Sequence, residues 1–222
     1  MDYGAGRGRL LRTLAEENAN VAMIEYMAVE PDADAQKACS ELLAEVYGAE
    51  GAGRVFSRVE DLREKLNGER IGTVVMCNVL HELDPALWVS FFKNEVHALL
   101  VDNGFLLVVE DYELPHGEMA HQHGFLLLDR PELDVLFPGT EGLLDIATSE
   151  QRDGRLKAHA IPSARLASIS EASCAKAIRV LRDRARDKVR ELRKSEQRTY
   201  ADGRQYALWT QLYCNAGIYL DA

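Results

Sequence analysis

The chain has 222 residues, of which 47% are hydrophobic and 28% are charged. This length and composition are typical of one globular domain with a full core, and they exclude a disordered chain. The formal net charge of −10 argues against a protein that coats nucleic acid through bulk electrostatics.

The cysteine spacing and the apolar runs bear on the compartment. Cys39, Cys77, Cys174 and Cys214 contain no CxxC pair, so neither a zinc knuckle nor a disulfide framework is expected. No apolar run approaches the roughly 20 residues that a membrane span requires. The opening residues MDYGAGRGRL contain no apolar core of a secretory signal. We therefore predict a cytoplasmic protein that makes no membrane contact.

Strands alternate with helices over the first 110 residues. A glycine-rich turn at 4–8 opens the chain, and helix-spaced leucines follow it. The predicted strands cover 26–31, 54–57, 71–78 and 105–110, the last one after a turn at 102–104. Amphipathic helices are predicted over 33–46, 62–66 and 87–100. This alternation predicts a parallel sheet built from βαβ units.

The pattern changes between 111 and 142, where periodicity is weak and histidine and proline are frequent. We interpret this stretch as an insertion, partly helical around 126–133, and long excursions of this kind tend to be functional. Two extended runs, 143–149 and 156–161, flank the dipeptide Asp153-Gly154. They predict an antiparallel hairpin that completes the sheet.

The C-terminal part is predicted to be helical. Ser168 and Glu171 fit a capping box, and apolar residues from Cys174 to Leu192 recur at three- and four-residue steps. A break at 201–203 separates this helix of roughly 25 residues from a final helix that packs against it. The stretch 176–198 carries ten Lys/Arg and four Asp/Glu. This charge fits a solvated helix face or, alternatively, a surface around 170–198 for a protein partner or nucleic acid.

The sequence of the glycine turn can be compared with three kinds of ligand-binding motif. A phosphate-binding P-loop requires Gly-Lys followed by Ser or Thr, which is absent. A dinucleotide fingerprint requires glycine where Arg9 stands, so that interpretation is weakened. The run Asp2-Tyr3-Gly4-Ala5-Gly6-Arg7-Gly8 resembles the first motif of class I S-adenosylmethionine-dependent methyltransferases. The run 74–83, VVMCNVLHEL, is similar to that family's fourth strand and following loop, and 103–110 to its next turn and strand.

The resemblance implies a cofactor, S-adenosylmethionine, and residues that hold it. Glu30 stands where the family has an acidic residue for the ribose hydroxyls, and carboxylates accept such hydrogen bonds well. The segment 57–62 resembles the family's adenine contact, although Arg58 replaces its usual aspartate. The expected cofactor-binding residues are Asp2, Gly4, Gly6, Gly8, Glu30, Val59, Glu60 and Asn78.

Several groups are expected to face the methyl acceptor. The candidate catalytic residues are His81, Glu110, His121 and His123. Glu118, His121 and His123 also have the chemistry of metal ligands, but a lone His-x-His is common, and we predict no metal. No Asn/Asp-Pro-Pro motif follows the fourth strand and no Pro-Cys dipeptide occurs, which disfavours DNA methylation. A small molecule, a protein side chain or RNA stays open as acceptor.

One departure from the family concerns its first strand. An apolar strand normally precedes the aspartate, whereas only Met1 precedes Asp2 here. Either that strand is lacking or another segment fills its place, so the cofactor site is either defective or completed by a partner. This feature supports a second function class, a non-catalytic scaffold subunit that acts through its C-terminal helices. A single-domain oxidoreductase is the third.

The expected architecture is a three-layer α/β protein. Its Rossmann-like methyltransferase sheet is mostly parallel, with a terminal antiparallel hairpin and C-terminal helices. The cofactor-binding domain is expected over 1–165, with the insertion at about 111–142, and the helical extension over 166–222. The predicted activity is methyl transfer to an O, N or S nucleophile.

Overall fold

The computed structural model describes residues 1–17, 20–112, 125–140, 142–148, 156–194 and 199–221. Within these residues the chain forms one seven-stranded sheet in the order β3-β2-β1-β4-β5-β7-β6. The strands are β1 (Asp2–Tyr3), β2 (Ala28–Val29), β3 (Val55–Phe56), β4 (Ile71–Cys77), β5 (Leu100–Asp111), β6 (Leu144–Thr148) and β7 (Leu156–Pro162). The pairs among β1 to β5 are parallel, and β7 runs antiparallel to both β5 and β6. The predicted fold class, including the terminal hairpin, is confirmed.

The first residues of the chain form an interior strand of the sheet. β1 pairs with β2 on one side and with β4 on the other. The Met1 carbonyl accepts the amide of Val75 at 2.8 Å, and the Met1 amino group donates to the Thr73 carbonyl at 2.8 Å. The expectation of an absent first strand is therefore wrong. The next two strands on this side of the sheet, β2 and β3, are also two residues long.

The α-helices lie between and after these strands. They are α1 (Arg9–Glu16), α2 (Ala33–Tyr47), α3 (Val59–Leu66), α4 (His97–Leu99), α5 (Arg130–Leu136), α6 (Ser163–Leu166), α7 (Glu171–Lys194) and α8 (Tyr200–Asp221). Short 3₁₀ turns cover Val21–Met23, Ala49–Arg54, Leu80–Glu82 and Pro85–Leu87. A π-helix at Ser90–Val96 runs directly into α4. No helix among the described residues is both long and apolar enough to cross a membrane.

Several element boundaries differ from the sequence-based expectation. Leu100 belongs to β5 instead of the preceding helix, and Leu87 is 56% exposed. The predicted turn at 102–104 lies inside β5, where the register against β4 shifts. A Cβ on Gly104 would lie 2.8 Å from the Gly72 carbonyl oxygen, so only glycine allows the two strands to approach at this irregularity.

The helical predictions after residue 125 also need correction. Residues 125–129 are not helical, and α5 begins at Arg130 because Asp129 and Glu132 form its capping box. α7 is capped by Ser170 and Ser173, whose hydroxyls accept each other's backbone amides, and not by the predicted Ser168–Glu171 pair. The predicted break at 201–203 is part of the first turn of α8.

The C-terminal helices share the core of the sheet. The largest apolar cluster contains Met76 of β4 and Val108 of β5 together with Ile178 and Leu181 of α7 and Ala216 of α8. The boundary between 165 and 166 stays a prediction, and this cluster extends across it. The exposed face of α7 carries ion pairs such as Arg186–Asp183 and Lys188–Glu191, as expected of a solvated basic helix.

Candidate functional site

The glycine turn lies at the carboxyl ends of β1, β2 and β4, the edge at which parallel α/β sheets bind ligands. Gly4, Gly6 and Gly8 have φ angles of 69°, 54° and 80°, a region that side-chain-bearing residues rarely adopt. A Cβ on Gly4 would lie 2.6 Å from a methyl group of Val79, so the turn packs against the loop after β4. A Cβ on Gly6 would meet nothing within 4 Å. This open space at the turn fits a ligand that approaches the backbone.

Glu30 joins the second strand to the glycine turn. It follows β2 and is 7% exposed. Its Oε2 accepts the Gly6 amide at 2.7 Å, and its Oε1 accepts the Asp32 amide at 2.9 Å. Each carboxylate oxygen has a second lone pair, so Glu30 can still accept ligand hydroxyls. Two of the residues predicted from separate motifs are thus in direct contact.

Asp2 lies below the turn, in the protein interior. Its carboxyl group is 2% exposed and accepts the hydroxyl of Tyr26. Burial raises the pKa of Asp2 to about 6, against the lowering effect of the Tyr26 hydrogen bond. Tyr26 was not among the residues predicted from sequence, because nothing local distinguishes it from any strand aromatic. A direct cofactor contact of Asp2 stays a prediction.

Asn78 forms the junction between β4 and β5. Its φ is 56°, and its amide donates to the Val109 carbonyl at 2.8 Å. The side-chain oxygen accepts the amide of Asp111 at 2.8 Å. Asparagine tolerates the left-handed conformation better than most residues. Asn78 therefore ends β4 sharply and ties it to the end of β5, next to Val79 and the glycine turn.

His81 and Glu110 form a buried pair beside this junction. Their side chains are 2% and 1% exposed, and His81 Nδ1 lies 2.5 Å from Glu110 Oε2. The other carboxylate oxygen accepts the amide of Leu80 at 2.9 Å. His81 Nδ1 and Glu110 Oε2 therefore share one proton in a single hydrogen bond. The structure thus brings together two of the four predicted catalytic residues.

The remaining predicted site residues that the structure describes make no hydrogen bond with the glycine turn that supports their predicted roles. Val59 begins α3 and is buried in the largest apolar cluster, whereas Glu60 is exposed beside it. The exposed carboxylate of Asp61 is held by Arg58 at 2.7 Å. Adenine contacts at Val59 and Glu60 stay predictions. Glu118, His121 and His123, considered above for acceptor or metal contacts, lie outside the described residues.

Phe125 contacts His81, and Asn215 contacts Phe125; the sequence analysis identified neither residue. The Phe125 ring meets the His81 imidazole edge-on, with centroids 6.4 Å apart and planes at 84°. The Phe125 carbonyl accepts the side-chain amide of Asn215 in α8 at 3.0 Å. Asn215 stands within an apolar stripe of its helix, and this position indicates a buried hydrogen bond. The sequence does not indicate its partner, because Phe125 lies 90 residues away.

Comparison with known proteins finds similarity in structure alone. No family model and no curated protein matches the chain. The solved mitomycin 7-O-methyltransferase MmcR is 16% identical, with a TM-score of 0.49 over 72% of this chain and 47% of that one. Glycopeptide N-methyltransferase MtfA, complexed with S-adenosyl-L-homocysteine, is 19% identical, with a TM-score of 0.48 over 72% of this chain and 81% of that one.

A third similar structure is a SAM-dependent methyltransferase from Archaeoglobus fulgidus. It is 21% identical, with a TM-score of 0.36 over 50% of this chain and 43% of that one. The chain therefore spans less than half the length of this protein and of MmcR. Its own sheet is mostly parallel with an antiparallel end pair, as the sequence analysis predicts.

Proposed function

We propose that the chain binds S-adenosylmethionine at the glycine turn and transfers its methyl group to an O, N or S nucleophile. The observation that carries the proposal is the Gly6–Glu30 contact at 2.7 Å beside open space at the sheet's carboxyl edge. This arrangement combines a backbone that a ligand can approach closely with a carboxylate suited to sugar hydroxyls. The neighbouring structures named above include one complexed with S-adenosyl-L-homocysteine, which agrees with this choice of cofactor.

The chain's own residues would hold and orient the cofactor. Gly4, Gly6 and Gly8 keep the turn free of side chains, and Glu30 accepts the ribose hydroxyls. Asn78 fixes the end of β4, opposite Glu30 across β1. The bound sulfonium supplies an already activated methyl group. The remaining work of the protein is then in-line positioning of the acceptor.

His81 and Glu110 would act on the acceptor side of the site. In this proposal Glu110 accepts the proton of His81 Nδ1, and Nε2, which lies 4.0 Å from the Glu82 carboxylate, would exchange a proton with the acceptor. Both side chains are almost fully buried, and the Phe125 ring packs edge-on against the imidazole. The acceptor is a small molecule, a protein side chain or RNA, and the cytoplasmic location stays a prediction.

Calorimetric titration with S-adenosylmethionine, S-adenosylhomocysteine and NADH tests the proposal. We expect the first two to bind with micromolar Kd, and Glu30→Ala and Gly6→Val to abolish binding. Gly68→Val is the matched control, because Gly68 also has a positive φ, 90°, and open space around its Cβ position, but lies in the loop that precedes β4. Binding of NADH alone, or no binding of any ligand, would overturn the proposal.

A further inference from the structure

The segment 125–128 lies over His81 without forming part of the sheet. The Leu126 amide donates to the His81 carbonyl at 3.4 Å, and the Phe125 ring contacts the imidazole edge-on. All four side chains of the segment are buried. An irregular backbone in a buried position requires partners for its carbonyl groups. The donors that bind these carbonyl groups therefore show which elements hold the segment 125–128 in place.

Three carbonyl groups of the segment accept hydrogen bonds from side chains of other elements. Asn215 of α8 donates to Phe125 at 3.0 Å, and Tyr112, after β5, donates to Leu128 at 2.6 Å. Arg184 of α7 lies 3.5 Å from the Leu127 carbonyl. The segment is therefore fastened from β5, α7 and α8 on one side and from His81 on the other. Two of these three donors belong to the C-terminal helices.

Asn215 is the donor that bears most directly on His81. It is 8% exposed and lies on the buried stripe of α8 with Leu212 and Ala216. Asparagine has a low helix propensity, and burying its amide is costly unless the amide is hydrogen-bonded. Its bond to Phe125 supplies that compensation at the one residue of the segment whose ring meets the imidazole.

We propose that the C-terminal helices complete the acceptor side of the site, with Asn215 as a positioning residue. Asn215 holds Phe125, and the ring of Phe125 confines the His81 imidazole in the orientation that directs Nδ1 to Glu110. The proposal rests on the proposed function for the identity of the reaction. The geometry of the His81 ring can be tested without it.

The test compares variants of the full chain by NMR of the His81 imidazole. Asn215→Leu removes the amide donor but suits the apolar stripe, whereas Asn215→Gln retains an amide. Gln211→Leu, at an exposed position of the same helix, is the control for surface hydrophobicity. Long-range ¹H–¹⁵N spectra distinguish protonated from unprotonated ring nitrogens, and the signals lost in His81→Gln identify those of His81.

We expect Asn215→Leu to shift the two His81 nitrogen signals toward the averaged position of a ring without a fixed tautomer. Asn215→Gln should restore part of the shift, and Gln211→Leu should cause none. Unchanged His81 signals in Asn215→Leu would overturn the proposal. If Asn215→Leu does not fold, Asn215→Asp, which has the same shape but no amide donor, replaces it and is judged by the same signals.

Titration with S-adenosylhomocysteine separates the two proposals. We expect its Kd to change by less than about threefold in Asn215→Leu, because Glu30 and Gly6 are not in contact with this segment. Absence of binding in the unmodified chain refutes the proposed function alone, since the His81 signals still report on Asn215. Equal loss of binding and of His81 signals in Asn215→Leu indicates general unfolding, and Asn215→Asp then decides the positioning role by the same two readouts.

Discussion

Replacing Arg184 with methionine is expected to lower the free energy of unfolding by about 3–5 kcal/mol. Arg184 forms a bidentate ion pair with Glu132, with Nε and Nη2 at 2.8 and 2.9 Å from the two carboxylate oxygens. Glu132 is fully buried, whereas Arg184 is 21% exposed. Methionine would keep the apolar stem of the side chain but leave a buried carboxylate without its counter-ion.

The penalty should depend on pH. Burial raises the pKa of Glu132, and the charge of Arg184 partly lowers it again. Without Arg184 the folded-state pKa rises further above the unfolded value. A carboxyl group of this kind contributes stability at low pH and loses it as the pH rises through the folded pKa. The Arg184→Met penalty is therefore expected to be largest near neutral pH and to shrink at about pH 5.

Urea unfolding followed by far-UV circular dichroism measures both effects. Tryptophan fluorescence gives a second probe, because the Arg184 guanidinium lies 4.9 Å from the Trp209 ring centre. The buried Trp88 contributes to the same signal. The double variant Glu132→Gln/Arg184→Met removes both charges and retains an acceptor for the Asp129 amide. It should recover to within about 1–2 kcal/mol of the unmodified chain. A penalty below about 1 kcal/mol that is the same at both pH values would refute the reasoning.

Three further outcomes are expected at the glycine turn and its surroundings. The Asp2 pKa is raised from 3.8 to about 6 in the folded chain, so the free energy of unfolding should fall by about 3 kcal/mol as the pH rises from about 4 to 7. Urea unfolding at several pH values should show this dependence in the unmodified chain and not in Asp2→Asn. Gly8→Ala should lower the unfolding free energy by about 1–3 kcal/mol, seen as a lower Tm, since φ is 80° and the new Cβ would lie 2.8 Å from Leu42. Asn78→Ala should lower the free energy of unfolding in urea by about 1–2 kcal/mol, because it loses the hydrogen bond to the Asp111 amide and places alanine at a φ of 56°. Asn78→Gly should lower it less, because glycine adopts this φ without strain.

Much of the fold could be predicted because its signals are local. Apolar runs such as 71–78, the caps of α2 and the Asp-Gly between two extended runs each act within a few residues. The start of α7 was misplaced because two competing caps stand two residues apart, and packing chooses between them. Ser170, not Ser168, caps α7, since the Ser173 hydroxyl also donates to Leu136.

The candidate site divides in the same way. The glycine turn, Glu30, Asn78, His81 and Glu110 were identified from motifs at the ends of strands, because parallel strands bring their carboxyl ends to one edge. The direct contact between His81 and Glu110 is a finding of the structure. The burial of Asp2 beside Tyr26 depends instead on which side chains fill the space under the turn. The residues next to Asp2 in the sequence do not indicate this packing, because Tyr26 lies 24 positions away.

Residue types and their spacing were thus enough to establish the alternating α/β order, the parallel sheet with its final hairpin, and the glycine turn with its acidic partner. The tertiary structure alone decided that residues 1–3 form an interior strand between β2 and β4 and that α8 is connected to His81 through Phe125. The physical reason is range. Propensity, periodicity and capping act over one or two turns of chain, whereas the Asn215–Phe125 contact joins residues 90 positions apart and forms only when the whole core packs.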